Sequence, residues 1–264
     1  MTTIIIYHAH CTDGNAAAWV GQRKFSDAIL YPADHGETPP DVTGADVYVL
    51  DFSYKRAPML ALKQQAKSLL VLDHHEKARD IIGDLNFCIF DLEKSGAGLA
   101  WDYFFPDQPR PFFISYIEDR DLWRWALPHS EEINAGISSF PRNFATLTSF
   151  FEADPKELFE DLLAKGYPVV QYKKGLISGL AKHAYEVEFE GHRVLVCNTA
   201  TLQSELGAEL CKNHAFSITW FKNERGVYIY SLRSLGFDVG AIAVKYGGGG
   251  HPMAAGFQAN HPMF

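Results

Sequence analysis

Three stretches of this sequence run from apolar residues into groups that bind metal. TIIIYHAHCTDG (3–14) leads to His8, His10 and Asp13, VYVLDF (47–52) to Asp51, and LLVLDHHEKA (69–78) to Asp73, His74 and His75. Imidazole and carboxylate together are a donor set for divalent transition metals, and one carboxylate can bridge the paired ions of a phosphoryl-transfer site. Brought together without a cation, the acids would repel one another. A lone histidine or aspartate at a strand end is ordinarily a solvated residue or a cap. The shared chemistry of the three ends is what sets them apart.

Each apolar run has strand length, and AILYPA (28–33) and FCIFD (87–91) add two more. Helical patterns starting near Gly14 and covering Met59–Lys67 lie between them. Strands alternating with helices predict a parallel sheet covered on both faces. Ligands of such sheets collect beyond the carboxyl ends of the strands, so the pattern places the imidazoles and carboxylates along one edge. From Leu127 to Lys182 the spacing is mostly helical, with a helix start at Asp154-Pro155-Lys156-Glu157. VEFEGHRVLVCNTA (187–200) reads as strand-turn-strand. A helix over Ser204–Cys211, strands FSITWF (216–221) and VYIYSLR (227–233), and a helix capped by Asp238 follow. The fold class expected is α/β: a parallel-sheet domain with a helical extension over 1–170, a helical linker over 171–186 and a smaller α/β domain over 187–264.

A chain of 264 residues, 47% of them hydrophobic, can bury one large core or two modest ones. No stretch reaches the roughly 20 apolar residues of a membrane span, and MTTIIIYHAH lacks the basic flank of a signal peptide. A cytoplasmic location is expected, with no membrane partner. The four cysteines, Cys11, Cys88, Cys197 and Cys211, have no paired spacing and read as reduced thiols. A net charge of −8 argues against a protein that coats long nucleic acid, and suits a short anionic substrate met by a local basic patch. The run Gly247–Gly250 lacks Cβ atoms, so backbone N–H groups at Gly248, Gly249 and Gly250 can approach an anion closely. His251 adds a donor, and Arg233 a guanidinium able to grip phosphate in a bidentate manner.

The sequence resembles the DHH phosphoesterase family with its C-terminal DHH-associated domain. The resemblance rests on YHAHCTDG, VYVLDFS, VLDHHEKA, YIEDRDLW (116–123) and GGGGHPMAAG (247–256), which follow the family's order and span nearly the whole chain. It implies a two-metal site, usually manganese with Mg²⁺ or Co²⁺ as alternatives, between the two domains. His8, Asp13, Asp51 and His74 match metal-binding positions, with Asp51 as the bridging carboxylate. Asp73 matches an orienting group, and His75 a substrate-facing histidine that contacts phosphate or protonates a leaving oxygen. In YIEDRDLW the expected ligand is Asp119, with Asp121 as a salt bridge or cap. The family's first motif commonly carries a further aspartate; here either Cys11 or His10 takes that position, or one ion has fewer protein ligands.

The activity so implied is hydrolysis of short oligonucleotides or linear dinucleotides to nucleoside monophosphates. Alternatives are removal of a phosphate from adenosine 3′,5′-bisphosphate, single-strand exonuclease action, or nucleotide binding without catalysis. Exonucleases of the RecJ type and membrane-bound cyclic-dinucleotide hydrolases carry additional regions that are not expected here. Trp123, Trp125, Phe112 and Phe113 are candidates for stacking on a base, though aromatics are more often core. The oligomeric state is left open.

Overall fold

Strands β1 (Thr3–His8), β2 (Ile29–Ala33), β3 (Asp46–Leu50), β4 (Ser68–Asp73) and β5 (Cys88–Phe90) form one parallel sheet in the order β2-β1-β3-β4-β5. The period-two alternation of each strand divides its apolar residues between two layers. Ile5, Leu50 and Leu72 face a core that includes Trp19, Trp101 and Phe113. Ile4, Ile6, Val47, Val49, Leu69 and Val71 face a second core with Met59, Leu62 and Ile82. Helices α1 (Thr12–Lys24), α4 (Gly96–Phe104) and α5 (Phe112–Asp121) supply the first layer, and α2 (Arg56–Gln65) and α3 (Glu76–Ile82) the second. Helices α6 (Ser130–Ser138) and α7 (Phe144–Glu152) extend the first layer.

The computed structural model describes residues 2–264, and the chain divides into two compact units, Met1–Val170 and Gln171–Phe264. The long helix α8 (Pro155–Ala181) runs through the division. Asp154 Oδ1 accepts the backbone N–H groups of Lys156 and Glu157, which fixes its start. The second unit holds a six-stranded mixed sheet ordered β10-β11-β9-β8-β7-β6. Its strands are β6 (Tyr185–Phe189), β7 (His192–Asn198), β8 (Ser217–Lys222), β9 (Tyr228–Arg233), β10 (Gly249–His251) and β11 (Ala254–Ala259). Only β7 and β8 pair in parallel, joined by helix α9 (Gln203–Leu210). Helix α10 (Val239–Lys245) packs Val239, Ile242 and Ala243 on Val194, Ile218 and Leu232 of the sheet, and Asp238 caps it by accepting the Ala241 N–H. Among the described residues no helix is long and apolar enough to cross a membrane.

The first sheet has its topological switch point at β1, which is flanked by β2 and β3. Loops after the strands beside such a point diverge to opposite sides and leave a crevice at the carboxyl edge. His8, Asp51 and the Asp73–His75 segment all stand at that edge.

Candidate metal centre

Two sets of potential ligands meet there. His8, Asp51 and His75 form one, and Asp13, His74 and Asp121 the other; within each, the ligating atoms lie within 4.8 Å of one another. Asp51 joins them. Its Oδ2 lies 3.6 Å from His8 Nδ1 and its Oδ1 lies 3.1 Å from His74 Nε2. His74 Nε2 is also 3.5 Å from Asp121 Oδ2 and 3.9 Å from Asp13 Oδ2.

Asp51 is held in the left-handed region, with φ of 55°. Aspartate tolerates that conformation better than most residues, and it turns the carboxylate out of the strand direction. Gly96 makes this turn possible. A Cβ on Gly96 would lie 2.3 Å from the Asp51 Cβ, so only glycine fits where the start of α4 crosses the end of β3. Gly96→Ala is therefore expected to cost about 1–3 kcal/mol in overpacking and to weaken metal binding by displacing Asp51. Urea denaturation and a Mn²⁺ titration of the same variant check both effects.

The start of α4 also positions Asp13, whose two oxygens accept the N–H groups of Gly96 and Ala97. The helix start is braced in turn. Ser95 caps it by accepting the Gly98 N–H, and the Ser95 N–H donates to Glu118 Oε2. Arg110 Nη1 then donates to Glu118 Oε1 at 2.8 Å.

Asp73 is fully buried and points back at the two histidines that follow it. Its Oδ1 accepts the His74 N–H at 2.7 Å and lies 2.7 Å from His75 Nδ1, and its Oδ2 accepts the Ser53 hydroxyl at 2.5 Å. With Nδ1 engaged by the carboxylate, Nε2 is the nitrogen through which His75 can present a lone pair. Asp73 thus orients ligands and is in neither set.

The electrostatics are those of a cation site. Burial opposes charge on Asp51, yet the His74 and His8 imidazoles hold its carboxyl well below the usual range. Burial likewise works against protonated His74, but Asp51, Asp13 and Asp121 push it up to about 10. Asp13 is raised well above its ordinary value by burial and by the charges of Asp51 and Asp121. Neither Asp51 oxygen has a hydrogen-bonding partner although both are buried. Unsatisfied buried carboxylate oxygens between imidazoles fit a divalent cation, which would satisfy them directly.

Asp119, the ligand expected from the fourth motif, lies outside both sets, and Asp121 stands with His74 and Asp13 instead. The Asp119 carboxylate is committed elsewhere. It accepts the N–H groups of Ala126 (3.0 Å) and Leu127 (3.3 Å) and the Ser130 hydroxyl. His75, expected to face substrate, falls in the set with His8 and Asp51. Neither first-motif alternative joins a set: the His10 side chain is 82% exposed and 3.6 Å from Asp34, and Cys11 precedes α1 with its thiol pushed up to about 12 by burial and by Asp51 and Asp13. The donors missed by sequence reasoning, the Gly96 and Ala97 N–H groups, had a signal in KSGAG, a serine cap followed by small residues.

Phe113 is core, whereas Trp123 is 42% exposed. Trp123 and Trp125 both have left-handed backbones (φ 54° and 51°), and their rings lie edge to face with centroids 5.1 Å apart. In the second unit Arg233 is largely buried, and its guanidinium donates to the Leu232 carbonyl and to Ser204 Oγ. Gly249, Gly250 and His251 form the edge strand β10. Gly250 has φ of 144° and would place a Cβ 2.4 Å from the Ala254 carbonyl oxygen, so close strand pairing requires glycine here. Gly248 donates its N–H to the Ala243 carbonyl.

No protein-family model matches the chain. It is 31% identical over 287 residues to the uncharacterized protein R106 of Acanthamoeba polyphaga mimivirus. That match covers 96% of this chain and 66% of the relative, so the chain spans just under two thirds of its length. Among solved structures, RecJ from Thermus thermophilus in complex with Mn²⁺ is similar with a TM-score of 0.56 and 13% identity, over 97% of this chain and 49% of that one. The pGpG-specific phosphodiesterase PggH from Vibrio cholerae is similar with a TM-score of 0.54 and 12% identity, over 98% and 93% of the two chains. A five-stranded parallel sheet in one unit and a mixed sheet in the other make a RecJ-like two-domain fold.

Proposed function

We propose that this protein is a metal-dependent phosphoesterase that hydrolyses phosphodiester bonds of short oligonucleotides or linear dinucleotides. The observation that carries the reading is the pair of ligand sets joined through Asp51, both of whose buried oxygens have no other partner. His8, Asp51 and His75 would hold one ion and Asp13, Asp51, His74 and Asp121 the other, with manganese suited to the mixed donors. When bound, the ions supply charge neutralisation for a phosphoryl group and an activated water. Asp73 holds the His75 tautomer, and the Gly96 and Ala97 N–H groups hold Asp13. Trp123 offers an exposed indole face on which a base can stack. Arg233, Gly248, Gly249, Gly250 and His251 are proposed as phosphate-contacting groups of the second unit. For Arg233 this requires release from Ser204.

The test is incubation with Mn²⁺ and a panel: a dinucleotide, a longer single strand, adenosine 3′,5′-bisphosphate and pyrophosphate. The dinucleotide is expected to be cleaved fastest, with no activity in excess chelator. Mn²⁺ at about 100 times its Kd should add about 2.7 kcal/mol to folding stability per site, readable as a rise in Tm. Full activity in chelator, from protein with no bound metal, would sink the reading. A rate rising with strand length would favour an exonuclease over a hydrolase of short substrates.

A further inference from the structure

Next to the ligand-bearing segments, the first unit contains a half-open cavity of about 290 Å³. It is lined by Thr12 and Asn15 of α1, Arg120 of α5, Phe140 and Arg142 of the α6–α7 connection, and Asn143, which caps α7. Two of these residues immediately precede members of the second ligand set: Thr12 before Asp13, and Arg120 before Asp121. Arg142 donates through Nη1 to the carbonyl of His10, within the loop between His8 and Asp13. The cavity therefore shares its walls with the backbone that carries the metal ligands, but none of those ligands lines it.

Its charge is unusual for this chain. Acids outnumber bases, 32 to 24, and Arg56, Arg79, Arg110, Arg124 and Arg193 each sit within ion-pair distance of a carboxylate. Among the described residues Arg120 and Arg142, like Arg23, Arg225 and Arg233, form no ion pair, and these two line the same cavity. Two guanidiniums brought toward one space repel each other unless an anion lies between them, and a guanidinium's planar fork matches phosphate oxygens. The remaining lining divides between neutral donors and acceptors, with Thr12, Asn15 and Asn143, and an apolar side with Phe140. A volume near the lower end of the roughly 300–1,000 Å³ typical of small-molecule sites is too large for a lone ion and suits a mononucleotide unit.

We propose that this cavity is a binding subsite for the phosphorylated end of a nucleotide, with the phosphate between Arg120 and Arg142 and the nucleoside against Phe140 and the two asparagines. The choice of a nucleotide rests on the function proposed above; the case for an anion rests on two arginines that line one space, Arg142 with no carboxylate at ion-pair distance and Arg120 with only the charge of the neighbouring Asp121 acting on it. Such a subsite would fix the end of a short substrate beside the metal ligands and so select for length.

The experiment is calorimetric titration of the intact chain in excess chelator, which removes the metal centre from the binding. The probes are adenosine 5′-monophosphate, adenosine and inorganic phosphate. Adenosine 5′-monophosphate is expected to bind at least about tenfold more tightly than adenosine, a difference of about 1.4 kcal/mol. Inorganic phosphate is expected to compete with it. Arg142→Gln, at an exposed position, and Arg120→Gln should each weaken the nucleotide about tenfold, while Asp51→Asn leaves it unchanged. If Arg120→Gln lowers Tm, Arg142→Gln decides. No binding of the nucleotide, equal affinity for adenosine, an unaltered affinity in Arg142→Gln, or loss of binding in Asp51→Asn would each overturn the proposal. Arginine-dependent binding in a protein that hydrolyses nothing with Mn²⁺ would uphold the subsite and reject the phosphoesterase reading.

Discussion

Asp51→Asn is expected to reduce turnover by about a thousandfold or more, equivalent to about 4 kcal/mol in the barrier. Asp51 stands between the two ligand sets, with one oxygen toward His74 and the other toward His8. An amide cannot offer two anionic oxygens, so both ions lose their shared donor. Folding should not suffer. The buried carboxylate is attracted by the His8 and His74 imidazoles and repelled by Asp13 and Asp121, so its loss removes opposing effects. In chelator the variant is expected to melt near the wild-type temperature, and the rise in Tm on adding Mn²⁺ should vanish. Turnover within a few-fold of wild type would remove Asp51 from the bridge. A collapse of Tm in chelator would instead make it a structural residue.

The second large effect separates two aspartates that stand two residues apart. Asp119→Ala is expected to destabilise the fold by about 3 kcal/mol or more, because three donors lose a charged acceptor together. Those donors, the Ala126 and Leu127 N–H groups and the Ser130 hydroxyl, shape the turn that carries the left-handed Trp123 and Trp125 and lead into α6. Asp121→Ala should do the reverse. Its side chain is 26% exposed and close to other acids, so its loss leaves stability unchanged or slightly higher, while activity falls by at least about a hundredfold, or about 2.7 kcal/mol. Metal stoichiometry measured alongside urea denaturation distinguishes the two. If Asp119→Ala kept its stability and lost one metal equivalent, the assignment of these aspartates would be reversed.

Much of the architecture is determined by local pattern. Runs such as SLLVLD and VYVL are apolar on alternate sides and separated by helical spacing, and only a parallel sheet with two covered faces buries both sets of residues. β4 takes in the apolar run that opens LLVLDHHEKA and ends at Asp73, and β1, β3 and β9 begin or end within two residues of their sequence patterns. The gathering of His8, Asp51 and the Asp73–His75 segment at one edge follows from the same pattern, because parallel strands share their carboxyl ends.

What the pattern did not determine is which side chain of a motif turns inward. Asp119 and Asp121 both lie on α5, and at about 100° per residue they point to nearly opposite sides. The motif spacing is satisfied by either; the packing of α5 against α1 and α4 decides that Asp121 meets His74 while Asp119 meets the following turn. His75 is a similar case. Its place in a ligand set depends on Asp73 engaging Nδ1, a contact between residues whose adjacency in sequence says nothing of ring orientation. The crossing of α4 over the end of β3 sets Gly96 against Asp51, and the same helix start supplies N–H groups to Asp13, 83 positions from Gly96. Local propensity is indifferent to such a contact. It exists only because the helix layer and the sheet edge are packed together, and that packing is a property of the tertiary structure alone.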